Sequence, residues 1–370
     1  MSFAKKSCSV LLVLVLLAGL FAGCTQAQPA AQADAVLFAV SPVEETVDLH
    51  TFGQKTFLSG PNALLSLYAG GQKEKSRPLA VEFSWTYAGD AKDGFTLSLS
   101  ENADMTDSVT YTTNETQLSV YNLKIGTTYY WTVSTADAQS AVASFTTSDQ
   151  APRNLYVDGV TNVRDLGGWE TQNGSRTKQG MIYRCGRLNE SDTDTVNIEI
   201  TDSGRQTMLD SLGIRTEIDV RMAETKETGG ITASPLGDSV AYINCPMEWD
   251  GKMFADNQAQ ILKIFSVLAD ENSYPLIIHC NIGTDRTGML SFLINALLGV
   301  PEESLYKDYL FSNFGNIGGK RPLKNLLNAD YYQAVMDSKG QTLSEKTYNC
   351  LLGIGVPGEQ LDAVIALLSA

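Results

Sequence analysis

Histidine is nearly absent from this sequence of 370 residues, which has only His50 and His279. A histidine-built zinc site is thereby all but excluded, and little material is left for a Ser-His-Asp mechanism. Cysteine is sparse as well: there are six, with none of the paired short spacings of a zinc ribbon or a disulfide scaffold. Basic residues are the minority, 27 against 42 acidic, for a formal net charge of −15. Such a surface does not draw nucleic acid or anionic lipid by its bulk field. A site for an anionic substrate must therefore be locally basic and walled off, while most of the acidic excess serves solubility. The apolar run Val10 to Ala22 is too short for a membrane span. What remains is 43% hydrophobic and 19% charged, the composition of a globular protein long enough for two ordinary domains.

The first residues read as an export signal, with Lys5 and Lys6 as the positive start and Ala22-Gly23-Cys24 as a small-residue processing site after the apolar run. The last three residues are similar to a bacterial lipobox, which implies cleavage before Cys24 and lipidation of its thiol. Residues 1–23 are then a lipoprotein signal peptide and 24–34, rich in Ala and Gln, a flexible tether. This expectation puts the protein on the extracytoplasmic side, at the cell surface or in the periplasm, with Cys24 as its membrane anchor. Ordinary secretion with cleavage nearby is the alternative.

Residues 35–148 are expected to form an all-β sandwich. Ala80–Tyr87, Phe95–Ser100, Ser108–Thr113, Gln117–Leu123, Thr127–Ala136 and Ser140–Thr147 alternate with period two between turn signals. Tyr129, Trp131 and Val133 fall on one face. Trp85 together with Leu-x-x-x-Thr-x-Tyr-x-Trp-x-Val (Leu123 to Val133) resembles a fibronectin type III module. Residues 35 to 79 read less clearly, as a first strand and an insertion. The aromatics fall at strand spacing, which favours core over ligand platform, and a spacer role over a binding role.

After the polar stretch Ser148 to Arg153 the texture changes, and 152–370 reads as an α/β domain with a central, largely parallel sheet flanked by helices. Thr216–Val220 and Pro275–Ile278 are short β-rich runs, whereas Gln258–Leu268, Met289–Leu298 and Leu361–Leu368 carry apolar residues at helical spacing. The decisive segment is Pro275-Leu-Ile-Ile-His-Cys-Asn-Ile-Gly-Thr-Asp-Arg-Thr-Gly288. A buried strand ends at His279, five residues separate Cys280 from Arg286, and a helix starts near Arg286. A loop wrapped at a helix N-terminus points backbone N–H groups into one concavity suited to a phosphate dianion, and the same field favours thiolate over thiol. Cys280 can then act as a nucleophile without a histidine base. Arg286 offers a planar fork for two phosphate oxygens. Gly283 permits close backbone approach, Thr287 can donate its hydroxyl to the sulfur, and Asn281, Ile282, Thr284 and Gly288 complete the cradle. His279 is expected to orient the loop through hydrogen bonds to backbone.

The domain resembles the bacterial secreted tyrosine- and phosphoinositide-phosphatases of the cysteine-phosphatase superfamily. Their loop reads His-Cys-x-x-Gly-Lys-Asp-Arg-Thr-Gly and an upstream motif Asn-Phe-Arg-Asp-Leu-Gly-Gly. This chain has Asn162-Val-Arg-Asp-Leu-Gly-Gly168, then Ile182-Tyr-Arg-Cys-Gly-Arg-Leu188, Gly213-Ile-Arg-Thr-Glu-Ile-Asp-Val-Arg221 and Asp308-Tyr-Leu-Phe-Ser312. The resemblance implies attack by Cys280 on phosphorus, a phosphocysteine intermediate, and neither metal nor organic cofactor. It offers Asp285 as general acid, with Asp250 in Glu248-Trp-Asp250 as the alternative. Asp165 is expected to pair with a nearby arginine, or else to line the site with Arg164. Thr284 stands where the family has lysine, so a cation for a second phosphate is missing unless Arg164, Arg184 or Arg187 faces the pocket. Cys185 replaces a common serine and is either a small buried thiol or a disulfide partner for Cys280. Cys245 and Cys350 look structural.

The expected substrate is a phosphorylated protein or a small phosphomonoester. A protein-tyrosine or dual-specificity phosphatase leads, and a phosphoinositide or inositol-phosphate phosphatase is the alternative. A surface-anchored phospho-ligand-binding protein without turnover is the rival from another class.

Overall fold

A computed structural model describes residues 36–89, 91–190, 199–223 and 225–370, so the expected leader, tether and lipidation site at Cys24 lie outside the described residues. The first eight strands are β1 (Val36–Ser41), β2 (Thr46–Val47), β3 (Val81–Ala88), β4 (Phe95–Ser100), β5 (Val109–Thr113), β6 (Gln117–Val120), β7 (Thr128–Ser134) and β8 (Ala143–Thr147). They form a three-stranded sheet, β1-β3-β6, and a five-stranded one, β2-β8-β7-β4-β5. Period-two alternation sends Phe83, Leu97, Trp131 and Val133 into a shared core, where each is fully buried.

Residues 52–68 are largely helical and lie in the stretch 35–79 that reads as a first strand and an insertion. Thr51 and Gln54 close a capping box that starts the helix Phe52–Ser59, and Leu65–Tyr68 is a second short helix. Phe57, Leu65 and Ala69 belong to a second apolar core, shared with residues 166–368, not to that of the sheets. The Thr-x-x-Gln signal is present in the sequence, but a single helical turn's worth of apolar residues gives no period to read.

The polar stretch Ser148 to Arg153 is pinned in place. Arg153 is buried and donates to the Leu123 and Asn122 carbonyls on one side and to Asp165 Oδ2, at 3.0 Å, on the other. His50 Nε2 donates to the Pro152 carbonyl at 2.8 Å. Burial lowers the His50 pKa to about 4, although that carbonyl bond opposes the shift.

Strands β9 (Arg164–Asp165), β10 (Ile182–Cys185), β11 (Thr216–Asp219), β12 (Ala241–Asn244) and β13 (Leu276–His279) make a sheet of order β12-β11-β13-β10-β9. All its pairings are parallel except β9 with β10. β13 is central and apolar because both its faces are covered. Leu276 and Ile278 join one core with Ile264, Phe265 and Leu293, while Ile277 joins the opposite core with Met208 and Leu212. The helix Arg286–Leu297 is buried along its whole length. Each of its fully buried large apolar side chains is worth about 1.5–3 kcal/mol of transfer free energy. The C-terminal ends of β10, β11 and β13 therefore open at one edge, where ligands of open α/β sheets bind.

Candidate active site

Cys280 follows β13 directly and is 2% exposed. It lies at a cleft of about 610 Å³ that is also lined by Asn281, Ile282, Asp285, Arg286 and Glu227. The loop from Asn281 to Asp285 is held from behind by its carbonyl groups. Asn162 Nδ2 donates to the Ile282 and Gly283 carbonyls at 3.0 and 3.1 Å, Arg184 Nη2 donates to the Gly283 carbonyl at 2.6 Å, and the Arg187 N–H donates to the Asn281 carbonyl at 3.0 Å. With the carbonyl edge committed to protein, the N–H edge of the loop is the one left for the cleft. Gly283 has φ +66°, and a Cβ there would lie 2.2 Å from the Cys185 carbonyl oxygen, so only glycine fits.

Behind the loop stands a buried charge cluster. Asp308 accepts from Arg164 Nε at 2.7 Å and Arg184 Nη1 at 2.6 Å, and Arg164 Nη1 in turn fixes Asn162 Oδ1 at 2.5 Å. Burial raises the Asp308 pKa, but the two guanidinium groups outweigh it and hold the carboxyl below its ordinary value. Burial, reinforced by Arg164, pushes Arg184 down to about 10. Arg164 and Arg184 therefore do not supply the cation missing at Thr284. They are fully buried and spent on Asp308 and on the back of the loop. Arg187 is fully buried too. Thr284 itself is buried, with its hydroxyl against the Ile282 carbonyl and Asn162.

Arg286 is fixed by an acid that the sequence reading did not single out. Glu227, in the short helix Thr225–Thr228, accepts from Arg286 Nη1 at 2.8 Å and Nη2 at 3.2 Å. Nη1 also meets the Met247 carbonyl at 3.0 Å. These bonds leave Nε and the second Nη2 N–H for a ligand in the cleft that Arg286 lines. Burial works against the Arg286 charge, yet Cys280 and Glu227 prevail and its pKa is raised.

Asp285 shares the cleft with Cys280, and its carboxylate lies 3.5 Å from Arg321 Nε. Glu248 and Trp249 line the same cleft, whereas Asp250 is exposed and is not among its lining residues. Asp165 is fully buried away from the cleft, bound to Arg153 and to the N–H groups of Gly167 and Gly180 at 2.8 and 2.7 Å. The side chain of Thr287 and the backbone of Gly288 also lie off the cleft lining, in the buried helix start. The Thr287 hydroxyl has no hydrogen-bond partner among the described residues, so the expected donation to the sulfur is not formed.

His279 does not work chiefly through backbone. Its Nε2 meets Glu217 Oε1 at 2.8 Å, its Nδ1 lies 3.8 Å from Asp219 Oδ1, and the Cys280 carbonyl is a distant 3.4 Å from Nδ1. β11 runs alongside β13 in register, pairing Asp219 with His279, which places both acids on the histidine. The three side chains have ligand atoms within 4.8 Å of one another. Each is already committed, however: Glu217 also accepts from Ser234, and Asp219 from Arg221 and from Tyr242 at 3.0 Å. Burial penalises the Asp219 carboxylate, but His279 and Arg221 outweigh it and lower its pKa. Cys185, the β10 neighbour of His279, is a free, fully buried thiol whose pKa burial pushes well up. Cys245 and Cys350 are also free and buried.

The model of the tyrosine phosphatase family matches residues 155–349, more than half of the chain, and the chain belongs to that family. A Cupriavidus necator protein named "Putative tyrosine-protein phosphatase" is 27% identical over 191 residues, covering 46% of this chain and 66% of the relative. Among solved structures, the core catalytic domain of the PP-IP phosphatase SIW14 from S. cerevisiae, crystallised with citrate, is 14% identical. That match covers 41% of this chain and 82% of the other, with a TM-score of 0.29.

Proposed function

We propose that the protein hydrolyses phosphomonoesters through a phosphocysteine on Cys280, with aryl phosphates such as phosphotyrosine as the leading substrates. The observation that carries this reading is Cys280 at a cleft whose loop has its carbonyl edge tied back, with Arg286 beside it. Phosphate oxygens are received by the loop N–H edge and the free N–H groups of Arg286. Cys280 attacks phosphorus, the S–P bond forms and the P–O bond breaks, and Asp285 gives its proton to the leaving oxygen. Water then displaces the cysteine and releases inorganic phosphate. Trp249, 60% exposed, offers a ring-stacking surface in a cleft that Met222 and Ile317 also line. Those apolar walls favour an aryl ester over a bare inositol ring.

Turnover of p-nitrophenyl phosphate in EDTA by wild type, Cys280→Ser and Asp285→Asn tests the reading. Wild type should turn over and the serine variant should not; activity retained by Cys280→Ser contradicts the mechanism. Loss of the acid should slow phenyl phosphate more than p-nitrophenyl phosphate, because the poorer leaving group needs the proton more.

Two further readings complete the proposal. Residues 36–47 and 80–148 form a fibronectin type III-like module. Its three-plus-five sheet order supports this, as does the Tyr129 hydroxyl accepting from the Lys124 N–H at 2.9 Å, in the manner of a tyrosine corner. Export and lipidation at Cys24 rest on Lys5, Lys6 and Ala22-Gly23-Cys24. Metabolic labelling with palmitate that Cys24→Ser abolishes supports the anchor, and unlabelled wild type removes it.

A further inference from the structure

We infer that Arg321 forms a second anion-binding position in the cleft, with Lys226 adding positive charge to the same lining, and that it selects phosphomonoesters carrying another anionic group. This rests on the hydrolase reading above and narrows its substrate class. Both cations line the cleft with Cys280 and Arg286, but they come from different elements: Lys226 from the helix Thr225–Thr228, Arg321 from the loop after Ser312–Phe314. Neither belongs to the catalytic loop, and Arg286 with the loop N–H edge already accounts for one phosphate.

Arg321 is placed rather than merely present. Its N–H donates to Asn313 Oδ1 at 2.7 Å, and Asn313 Nδ2 returns a bond to the Arg321 carbonyl at 2.9 Å. Asn313 is fully buried and is itself tied at its carbonyl by the Gly71 N–H at 2.8 Å. A two-point clamp on a chain that has just passed Gly318-Gly319 fixes where the guanidinium emerges. The side chain is only loosely engaged. Its Nε stands 3.5 Å from Asp285 Oδ1, with the two groups 27% and 35% exposed, and Nη1 meets the Gly319 carbonyl at 3.3 Å. A pair so long and so wet holds weakly. A general acid must carry its proton as the leaving oxygen departs, and a proton on Asp285 releases Arg321 from that carboxylate. The freed guanidinium then serves an anionic group of the substrate. Glu248 on the same lining repels anions, so a second anionic group is held only where a cation such as Arg321 offsets that repulsion. With a net charge of −15 the chain offers no long-range attraction to a polyanion, which makes local cations decisive.

The test compares phenyl phosphate with 4-carboxyphenyl phosphate on the full chain, as wild type, Arg321→Gln, Arg321→Lys and Lys226→Gln. The kcat/KM ratio of the carboxylated ester to phenyl phosphate should exceed about tenfold in wild type and collapse towards one in Arg321→Gln, with partial recovery in Arg321→Lys. Lys226→Gln should lower the ratio less. The same comparison made with a phosphotyrosine peptide flanked by Asp or by Asn, and with an inositol bisphosphate against a monophosphate, shows which source of second anion is preferred. Equal kcat/KM in wild type, or a ratio that Arg321→Gln leaves intact, overturns the subsite. Equilibrium binding of the same ester pair to Cys280→Ser gives the ratio without turnover. A ratio lost in Cys280→Ser/Arg321→Gln supports the subsite even if no hydrolysis occurs, and absent hydrolysis then counts against the enzymatic reading alone.

Discussion

Replacing Asp308 with Asn should both destabilise the fold and loosen the Cys280 loop. The carboxylate accepts from Arg164 at 2.7 Å and Arg184 at 2.6 Å, and all three groups are buried. The amide keeps the shape but leaves two neighbouring guanidinium groups without their anion. Removing one partner of a buried ion pair costs about 3–5 kcal/mol, and here one carboxylate answers for two cations. A urea unfolding series at pH 7, followed by tryptophan fluorescence, should therefore show Asp308→Asn less stable by about 3–5 kcal/mol, with the slope unchanged. The pH dependence has a definite sign. The folded pKa of Asp308 lies below its unfolded value, so its contribution is fully present above the unfolded pKa of about 3.9 and is lost as pH falls through the folded one. Wild type and variant should accordingly converge in stability under strongly acid conditions and differ fully at neutral pH. Because Arg184 Nη2 also holds the Gly283 carbonyl at 2.6 Å, kcat/KM should fall in the fraction that remains folded. A loss of less than about 1 kcal/mol at pH 7 would refute the reasoning, since it is the size expected of an exposed pair.

Glu227→Gln keeps an acceptor but removes the charge that holds Arg286 at 2.8 and 3.2 Å. One charge-assisted hydrogen bond is worth about 1.5–3 kcal/mol, so kcat/KM for p-nitrophenyl phosphate should drop about 10- to 100-fold with circular dichroism unchanged. A change within threefold would argue that the Met247 and Val220 carbonyls, which Arg286 Nη1 meets at 3.0 and 3.3 Å, suffice. His50, whose pKa burial lowers to about 4, is taken into the fold uncharged. The unfolded chain thus binds the proton first, and stability is lost as pH falls from about 6.5 towards 4. Between pH 7 and 5 wild type should lose about 2 kcal/mol more than His50→Gln in urea unfolding, and parallel losses would contradict this.

The placement of the Cys280 loop was legible because a four-residue apolar strand, a Cys-x5-Arg spacing and a helix start fall in sequence, and these are local features. β13 runs Leu276–His279 where Pro275–Ile278 was expected, and β7 runs Thr128–Ser134 inside the expected Thr127–Ala136. What escaped is long-range. Glu227 reaches Arg286 across 59 positions, and Arg321 reaches the cleft through a glycine-rich loop with no periodicity. The buried fate of Arg164 and Arg184 could not be told from that of pocket cations, because an arginine flanking a motif looks the same whether its partner is Asp308 or a phosphate. Cys185 beside the loop was readable as position but not as chemistry, which its complete burial decides. The helices of residues 52–68 were hidden because their apolar residues serve the core shared with residues 166–368.

The central claim is that Cys280 carries the phosphoryl group. Quenching the enzyme in denaturant at alkaline pH during turnover of a slow aryl phosphate, then mapping peptides by mass spectrometry under conditions that spare the S–P bond, tests it directly. The account predicts one phosphoryl group on the peptide containing Cys280 and none on the corresponding peptide of Cys280→Ser. Turnover that proceeds with no modification of Cys280, or with the phosphoryl group on another residue, would contradict it.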